Sequence, residues 1–126
     1  MIEVYVDGGC KDNQDPAKRE AYCSYVIRRN NKEIVRKTRM QLGNATNNVA
    51  EYAAVITGIY AANDLNYKEE IIIYTDSQLV CSHIMNEWKA SEHMMWLKDT
   101  LQTLKLYLPY KLVKVDREQI IKILGH

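Results

Sequence analysis

The feature that most constrains this chain is the run Ile71-Ile72-Ile73, set between two segments of helical periodicity. Consecutive β-branched residues with no polar alternate read as a strand covered on both faces, the pattern of a strand in a sheet flanked by helices. The strand should cover Glu70 to Thr75. Before it, Ala50, Ala54, Gly58 and Ala61 recur at helical spacing, a stripe of small side chains that lets a helix approach a sheet closely. Thr46 can cap that helix, which should run to about Ala62, with Asn63 and Asn66 marking its exit.

Upstream the period is two. Ile2, Val4 and Val6 alternate with Glu3, Tyr5 and Asp7, and Gly8-Gly9 should stop this first strand. A polar loop, Lys11 to Glu20 with Asn13, Asp15 and Pro16, precedes a second strand at Ala21 to Ile27. Asn30-Asn31 then supplies a tight turn into a third strand, Glu33 to Gln41, so these strands should form an antiparallel meander. Downstream, Ser77 to about Trp88 and Glu92 to about Leu106 are helical, and Pro109 ends the second of these. Tyr110 to Val115 gives a fifth strand, and Asp116 with Gln119 matches a capping box for a short closing helix, Ile120 to Leu124.

The expected fold class is therefore α/β. Residues 1–126 form a single domain with a five-stranded mixed sheet, antiparallel over the first three strands, parallel over strands 1, 4 and 5, and covered by helices on both faces. An apolar content of 47% suffices for a core without staples. Cys10, Cys23 and Cys81 are odd in number and in no metal-ligand spacing, which argues against a disulfide framework or a zinc site and for a reducing, cytoplasmic setting. No apolar run approaches the ~20 residues of a membrane helix, and Met1 leads straight into a strand pattern. The expected product is soluble and not exported, with no membrane or obligate protein partner evident.

A net charge of +1 does not announce a nucleic-acid binder. Locally, Arg28, Arg29, Lys32, Arg36, Lys37 and Arg39 face the single acid Glu33 across the expected hairpin. A solvated surface accounts for them adequately, so they count only as support for other evidence.

The chemistry begins with where the strands end. Helical crossovers make strands 1, 4 and 5 parallel, which places Asp7 at the end of the first beside Asp76 at the end of the fourth, where such sheets bind ligands. Asp76 also precedes a helical pattern and would serve as an N-cap. Two carboxylates this close repel unless a cation or a proton intervenes, and a metal site accounts for the pair better than two independent caps. Glu51, near the start of the alanine-lined helix, either supplies a third oxygen donor or simply suits the positive end of the helix dipole.

"VYVDGG" around Asp7, "TNNVAEY" from Thr46 to Tyr52 and "YTDSQLV" around Asp76 resemble the three successive active-site motifs of type 1 ribonuclease H. The resemblance extends over nearly the whole chain, in the same element order. It implies a ribonuclease H-like fold and a metal-dependent endonuclease that cuts the RNA strand of RNA–DNA hybrids, leaving 5′-phosphate and 3′-hydroxyl ends. It also implies that Asp7, Glu51 and Asp76 are catalytic metal ligands. An all-oxygen set favours Mg²⁺, with Mn²⁺ as a substitute, and two such ions can neutralise the phosphate, activate water and stabilise the leaving oxygen. Asn13, Asn48 and Gln78 resemble family residues that contact sugars and base edges in the minor groove, and Thr46 and Asn47 resemble residues near a phosphate or a flanking nucleotide.

The resemblance weakens at the last helix. Where the family carries an asparagine and then an aspartate after an arginine resembling Arg117, this chain has Ile120 and Leu124. Glu118 can supply the fourth carboxylate from a shifted position; Asp116 is the second candidate, although its capping role competes. The family's flexible histidine has no counterpart in the loop before the helix, and His126 is the residue that can reach the site. The junction near Lys89 to Glu92 is short where many members carry a basic protrusion, and no hybrid-binding domain is expected ahead of Met1. Binding should therefore be weak and salt-sensitive. The alternative function is a catalytically impaired nucleic-acid-binding or interaction module on the same fold. Trp88, Trp96, Met94 and Met95 are expected to be packing residues, and His83 and His93 to lie on helices remote from the strand ends.

Overall fold

The computed structural model describes residues 1–85 and 90–126, without the side chains of 92 and 93. Five strands form one sheet in the order β3-β2-β1-β4-β5. They are β1 (Ile2–Lys11), β2 (Glu20–Arg29), β3 (Lys32–Gly43), β4 (Ile71–Thr75) and β5 (Tyr110–Lys114). Strands β1, β2 and β3 pair antiparallel, whereas β1 with β4 and β4 with β5 are parallel. The mixed sheet thus follows from the period-two meander and the helical crossovers. The β2–β3 turn uses Asn30 and Asn31 at φ 53° and 62°, the left-handed conformation of a tight hairpin that asparagine tolerates.

Four helices are present among the described residues: α1 (Asn47–Asp64), α2 (Gln78–Met85), α3 (Glu92–Tyr107) and α4 (Arg117–Leu124). Ile2, Val4 and Val6 of β1 bury against α1, α2 and α3 in the larger core. On the opposite face Val26 packs with Ile120 and Leu124 of α4 in a smaller cluster bordered by Tyr5, Val115 and Ile123. The period of two sends alternate β1 side chains to opposite faces, so Asp7 shares the α4 face with Tyr5. The small-residue stripe of α1 works as expected. Ala50, Ala54 and Gly58 are buried, and a β-carbon at Gly58 would meet Val6 Cγ1 at 2.8 Å.

Three expectations need correction. The first strand does not stop at Gly8-Gly9 but continues to Lys11, because both glycines fit the sheet where another element crowds the backbone. The Asp116–Gln119 capping box does not form: Asp116 occupies the N-cap of α4 without a side-chain hydrogen bond. Trp96, expected in the core, is 61% exposed on α3, while Met94 is buried and Met95 exposed. Trp88 lies outside the described residues.

Candidate active site

The register of β1 on β4 places the carboxylates. The last parallel pair is Tyr5 with Tyr74, so two further steps bring Asp7 level with Asp76. Asp7 is therefore not at the end of β1 but inside it, paired with Ser24 of β2, where the parallel neighbour β4 has run out. Beside it, Gly8 lets α1 approach. A β-carbon there would stand 2.2 Å from the Ala50 carbonyl oxygen and 2.5 Å from the Glu51 amide nitrogen. Backbone contact at this point carries Glu51 to the rim of the same hollow. Thr46 caps α1 by accepting from the Val49 amide at 3.2 Å.

Asp7, Glu51 and Asp76 line one open, polar cavity of about 460 Å³ with Asn47, Gln78 and Arg117. The helix-capping account of Asp76 does not hold as such. Ser77 Oγ accepts from the Val80 amide at 3.1 Å, which caps the start of α2 and leaves the Asp76 carboxylate free for other partners. That partner is Arg117. Its Nη1 donates to Asp7 Oδ1 at 2.8 Å and to Asp76 Oδ2 at 2.9 Å. The Val115 amide donates to the Thr75 carbonyl at 2.9 Å, holding the exit of β5 level with that of β4, and α4 starts two residues later. Arg117 consequently enters on the same edge as the two aspartates.

Asp7 is 3% exposed, and its Oδ2 is buried with no hydrogen-bond partner. Burial is the largest influence on its acidity and raises its pKa, outweighing the opposing effect of Arg117. Glu51 is shifted the same way, first by burial and then by the charges of Asp76 and Asp7, against a lowering hydrogen bond from Ser77. Its Oε1 accepts from Asn47 Nδ2 at 2.7 Å. The Asn47 backbone amide in turn donates to Asn13 Oδ1 at 2.9 Å, tying the β1–β2 loop to the start of α1.

Other expected site residues are spread around this centre. Gln78 lines the cavity and donates through Nε2 to Ser82 Oγ at 2.7 Å. Asn48 is exposed on the first turn of α1 and does not line the cavity. Glu118 and Asp116 are both exposed at the start of α4, and neither lines the cavity. His126 reaches the site by a turn at Gly125, whose φ of +85° is left-handed and whose amide donates to the Ile121 carbonyl at 2.7 Å. Its Nε2 lies 3.1 Å from Ser24 Oγ and 4.0 Å from Asp7 Oδ2.

Sequence reasoning used Arg117 only as a landmark and did not foresee Ser77, Tyr22 or Cys10 in the lining. The position of Arg117 just past the fifth strand, on the edge that carries the aspartates, was the available signal. His83, expected to be unremarkable, is buried and bonded through Nδ1 to the hydroxyl of Tyr52, the residue after Glu51.

Fold and site define a mixed-sheet α/β protein with an acidic centre beside the end of its parallel strand β4, where β1 runs on past it. The family model for RNase H matches residues 1–126, and the chain belongs to that family. Ribonuclease HI of Halobacterium salinarum is 32% identical over 91 residues, covering 72% of this chain and 43% of that protein. The bifunctional protein Rv2228c of Mycobacterium tuberculosis is 29% identical over 115 residues, covering 91% of this chain and 30% of that protein. The chain thus spans less than half the length of either relative. Among solved structures, RNase H1 from Halobacterium salinarum superposes with a TM-score of 0.82 at 24% identity, covering 94% of this chain and 88% of that one. LC11-RNase H1 in complex with an RNA/DNA hybrid gives 0.83 at 22% identity, covering 97% and 90%. At these identities the likeness to the solved structures is one of fold.

Proposed function

We propose that the protein is a divalent-metal-dependent endonuclease that hydrolyses the RNA strand of RNA–DNA hybrids, leaving 5′-phosphate and 3′-hydroxyl ends. The observation that carries this reading is the convergence of Asp7, Glu51 and Asp76 on one cavity, where a buried carboxylate oxygen of Asp7 has no hydrogen-bond partner. Among the described residues no group of three acids, histidines or cysteines is already gathered closely enough to hold a metal ion. The Arg117 guanidinium stands between the two aspartates and supplies positive charge there. Hard carboxylate oxygen donors suit Mg²⁺, with Mn²⁺ as the substitute.

In this reading Asp7, Glu51 and Asp76 hold two ions, and Glu118, one residue from Arg117, turns in from solvent as the fourth carboxylate. The bound ions supply charge neutralisation at the scissile phosphate and a water of lowered pKa. The chain's own residues do the positioning. Asn47 orients the Glu51 carboxylate, Asn13 fixes the loop over the start of α1, and Gln78 lines the cavity beside Asp76. Asn13, Asn48 and Gln78 read the minor groove, and Thr46 and Asn47 meet a phosphate or flanking nucleotide.

A second reading, a binding module impaired in catalysis, is favoured by the last helix. Ile120 and Leu124, at the positions where the family carries its asparagine and aspartate, are buried against Val26. On either reading we propose a cytoplasmic setting, which suits its three free cysteines. No described helix is long and apolar enough to cross a membrane. Incubating an end-labelled hybrid with the protein and Mg²⁺ and analysing the product ends decides between them. Cuts confined to the RNA with 3′-hydroxyl ends support the nuclease, whereas binding without cutting supports the module.

A further inference from the structure

We propose that Arg117 is the resident counter-cation of this site: its guanidinium bridges Asp7 and Asp76 and competes with a divalent ion for these two carboxylates. The inference rests on the metal reading above and adds to it a competitor encoded in the chain.

The geometry is specific. One nitrogen, Nη1, is shared by an oxygen from each aspartate, at 2.8 Å and 2.9 Å, so both carboxylates direct an oxygen at one cationic group. The acids are the fixed partners. The Asp7 side chain is 2% exposed on a central strand and that of Asp76 16% exposed, whereas Arg117 is 53% exposed on a helix first turn. A long, half-solvated side chain can swing away without disturbing the fold; a carboxylate buried in a sheet cannot.

Arg117 also leaves the site unfinished. Asp7 Oδ2 keeps no hydrogen bond, and Glu51, which lines the same cavity, takes its short hydrogen bond from Asn47 instead. A doubly charged ion would contact more of these oxygens and would bring twice the charge to carboxylates already removed from water. The exchange of guanidinium for metal is therefore favourable but opposed. Arg117 keeps the buried Asp7 and the partly buried Asp76 from facing each other unneutralised, and metal affinity is lowered by the cost of displacing it. As a positioning residue, Arg117 acts on the metal through the two aspartates.

The test is calorimetric titration of Mn²⁺ into the protein without nucleic acid, for the wild type, Arg117→Gln, Arg117→Lys and Asp7→Asn. Melting temperatures in chelator and in Mn²⁺ are measured alongside. Without the charge-assisted hydrogen-bond bridge, Arg117→Gln should bind Mn²⁺ roughly tenfold more tightly than the wild type. The same variant should melt lower in chelator and gain more from Mn²⁺. Arg117→Lys, which keeps the charge but not the planar fork, should show a smaller gain in affinity.

Equal or weaker binding by Arg117→Gln, with wild-type binding lost in Asp7→Asn, would overturn the competitor role while leaving the metal site standing. Wild-type binding no stronger than that of Asp7→Asn would overturn both. Should Arg117→Gln not fold in chelator, the lysine variant decides, and affinity equal to wild type would refute the proposal.

Discussion

A β-carbon at Gly8 would lie 2.2 Å from the carbonyl oxygen of Ala50, so β1 and the first turn of α1 are in backbone contact one residue from Asp7 and one from Glu51. That contact fixes the distance between the two acids, since neither element can retreat without opening the core between Val4, Val6 and Gly58. Gly8→Ala should therefore push α1 outward at its N-terminus. The expected cost is about 1–3 kcal/mol or more of stability from overpacking, with loss of Mn²⁺ binding exceeding what the lost stability explains. Chemical denaturation and calorimetry measure the two; wild-type values for both would contradict the close-approach account.

The fourth carboxylate is decided by two matched variants. Glu118→Gln should sharply reduce cleavage and raise the metal concentration needed for what remains, whereas a merely solvated helix-start glutamate would cost only ~0.3–1 kcal/mol of stability. Asp116→Asn is the control, and because Asp116 makes no side-chain cap bond, this change should leave both stability and cleavage near wild type. The reverse pattern assigns the role to Asp116.

The basic hairpin divides into structural and exposed charges. Arg36 pairs with Glu33 at 2.7 Å and donates to the Ile123 and Leu124 carbonyls at 2.9 Å and 3.0 Å, which ties β3 to the end of α4 just before the turn that places His126. Arg36→Ala should lower the melting temperature. Lys37 and Arg39 are exposed, and replacing both with alanine should weaken hybrid binding and flatten its salt dependence, by roughly one unit of log–log slope for each phosphate no longer neutralised. An unchanged slope in binding titrations at several salt concentrations would assign them to a solvated surface.

The buried pair Tyr52–His83 predicts a pH effect. Burial raises the pKa of the Tyr52 phenol, so it remains a donor, and His83 Nδ1 accepts as a neutral imidazole. Burial, then the charge of Lys98, lowers the His83 pKa below its ordinary 6.5. The unfolded chain consequently takes up a proton near pH 6.5 that the folded protein refuses until lower pH, and stability should fall as pH drops through that window. His126, also lowered by burial, adds in the same sense. Asp7 and Glu51, whose pKa values are raised, act oppositely and in a more acidic range. Denaturation curves of His83→Gln should show a shallower loss between neutral and mildly acidic pH; an unchanged slope would contradict the assignment.

How much of this was legible in the chain depends on how local each cause is. Ile71-Ile72-Ile73 and the alanine stripe of α1 report their own burial, so sheet order and crossovers could be read directly. Asp7 and Asp76 could be expected side by side because strand register, once parallel, is a matter of counting, whereas Glu51 was legible only through its place near the start of α1 and the motif around it. Gly8-Gly9 misled because a glycine admitted by a neighbouring backbone looks in sequence like a glycine that ends a strand. The bridge made by Arg117 and the approach of His126 depend on how α4 lies across β1 and β2, which no local period records. Trp96 shows the same limit, since its helical position gave no sign of the solvent it faces.

The central claim is that Asp7 within β1, Asp76 just past β4 and Glu51 on α1 hold the ions that cut RNA within a hybrid. Its most direct test is cleavage of a labelled RNA–DNA hybrid in Mg²⁺ by the wild type, Asp7→Asn and Asp76→Asn, each shown to be folded by circular dichroism. The account predicts metal-dependent cutting of the RNA strand alone by the wild type, none in chelator and none by either variant. Cutting that survives Asp7→Asn, persists in chelator or falls equally on single-stranded RNA would contradict it.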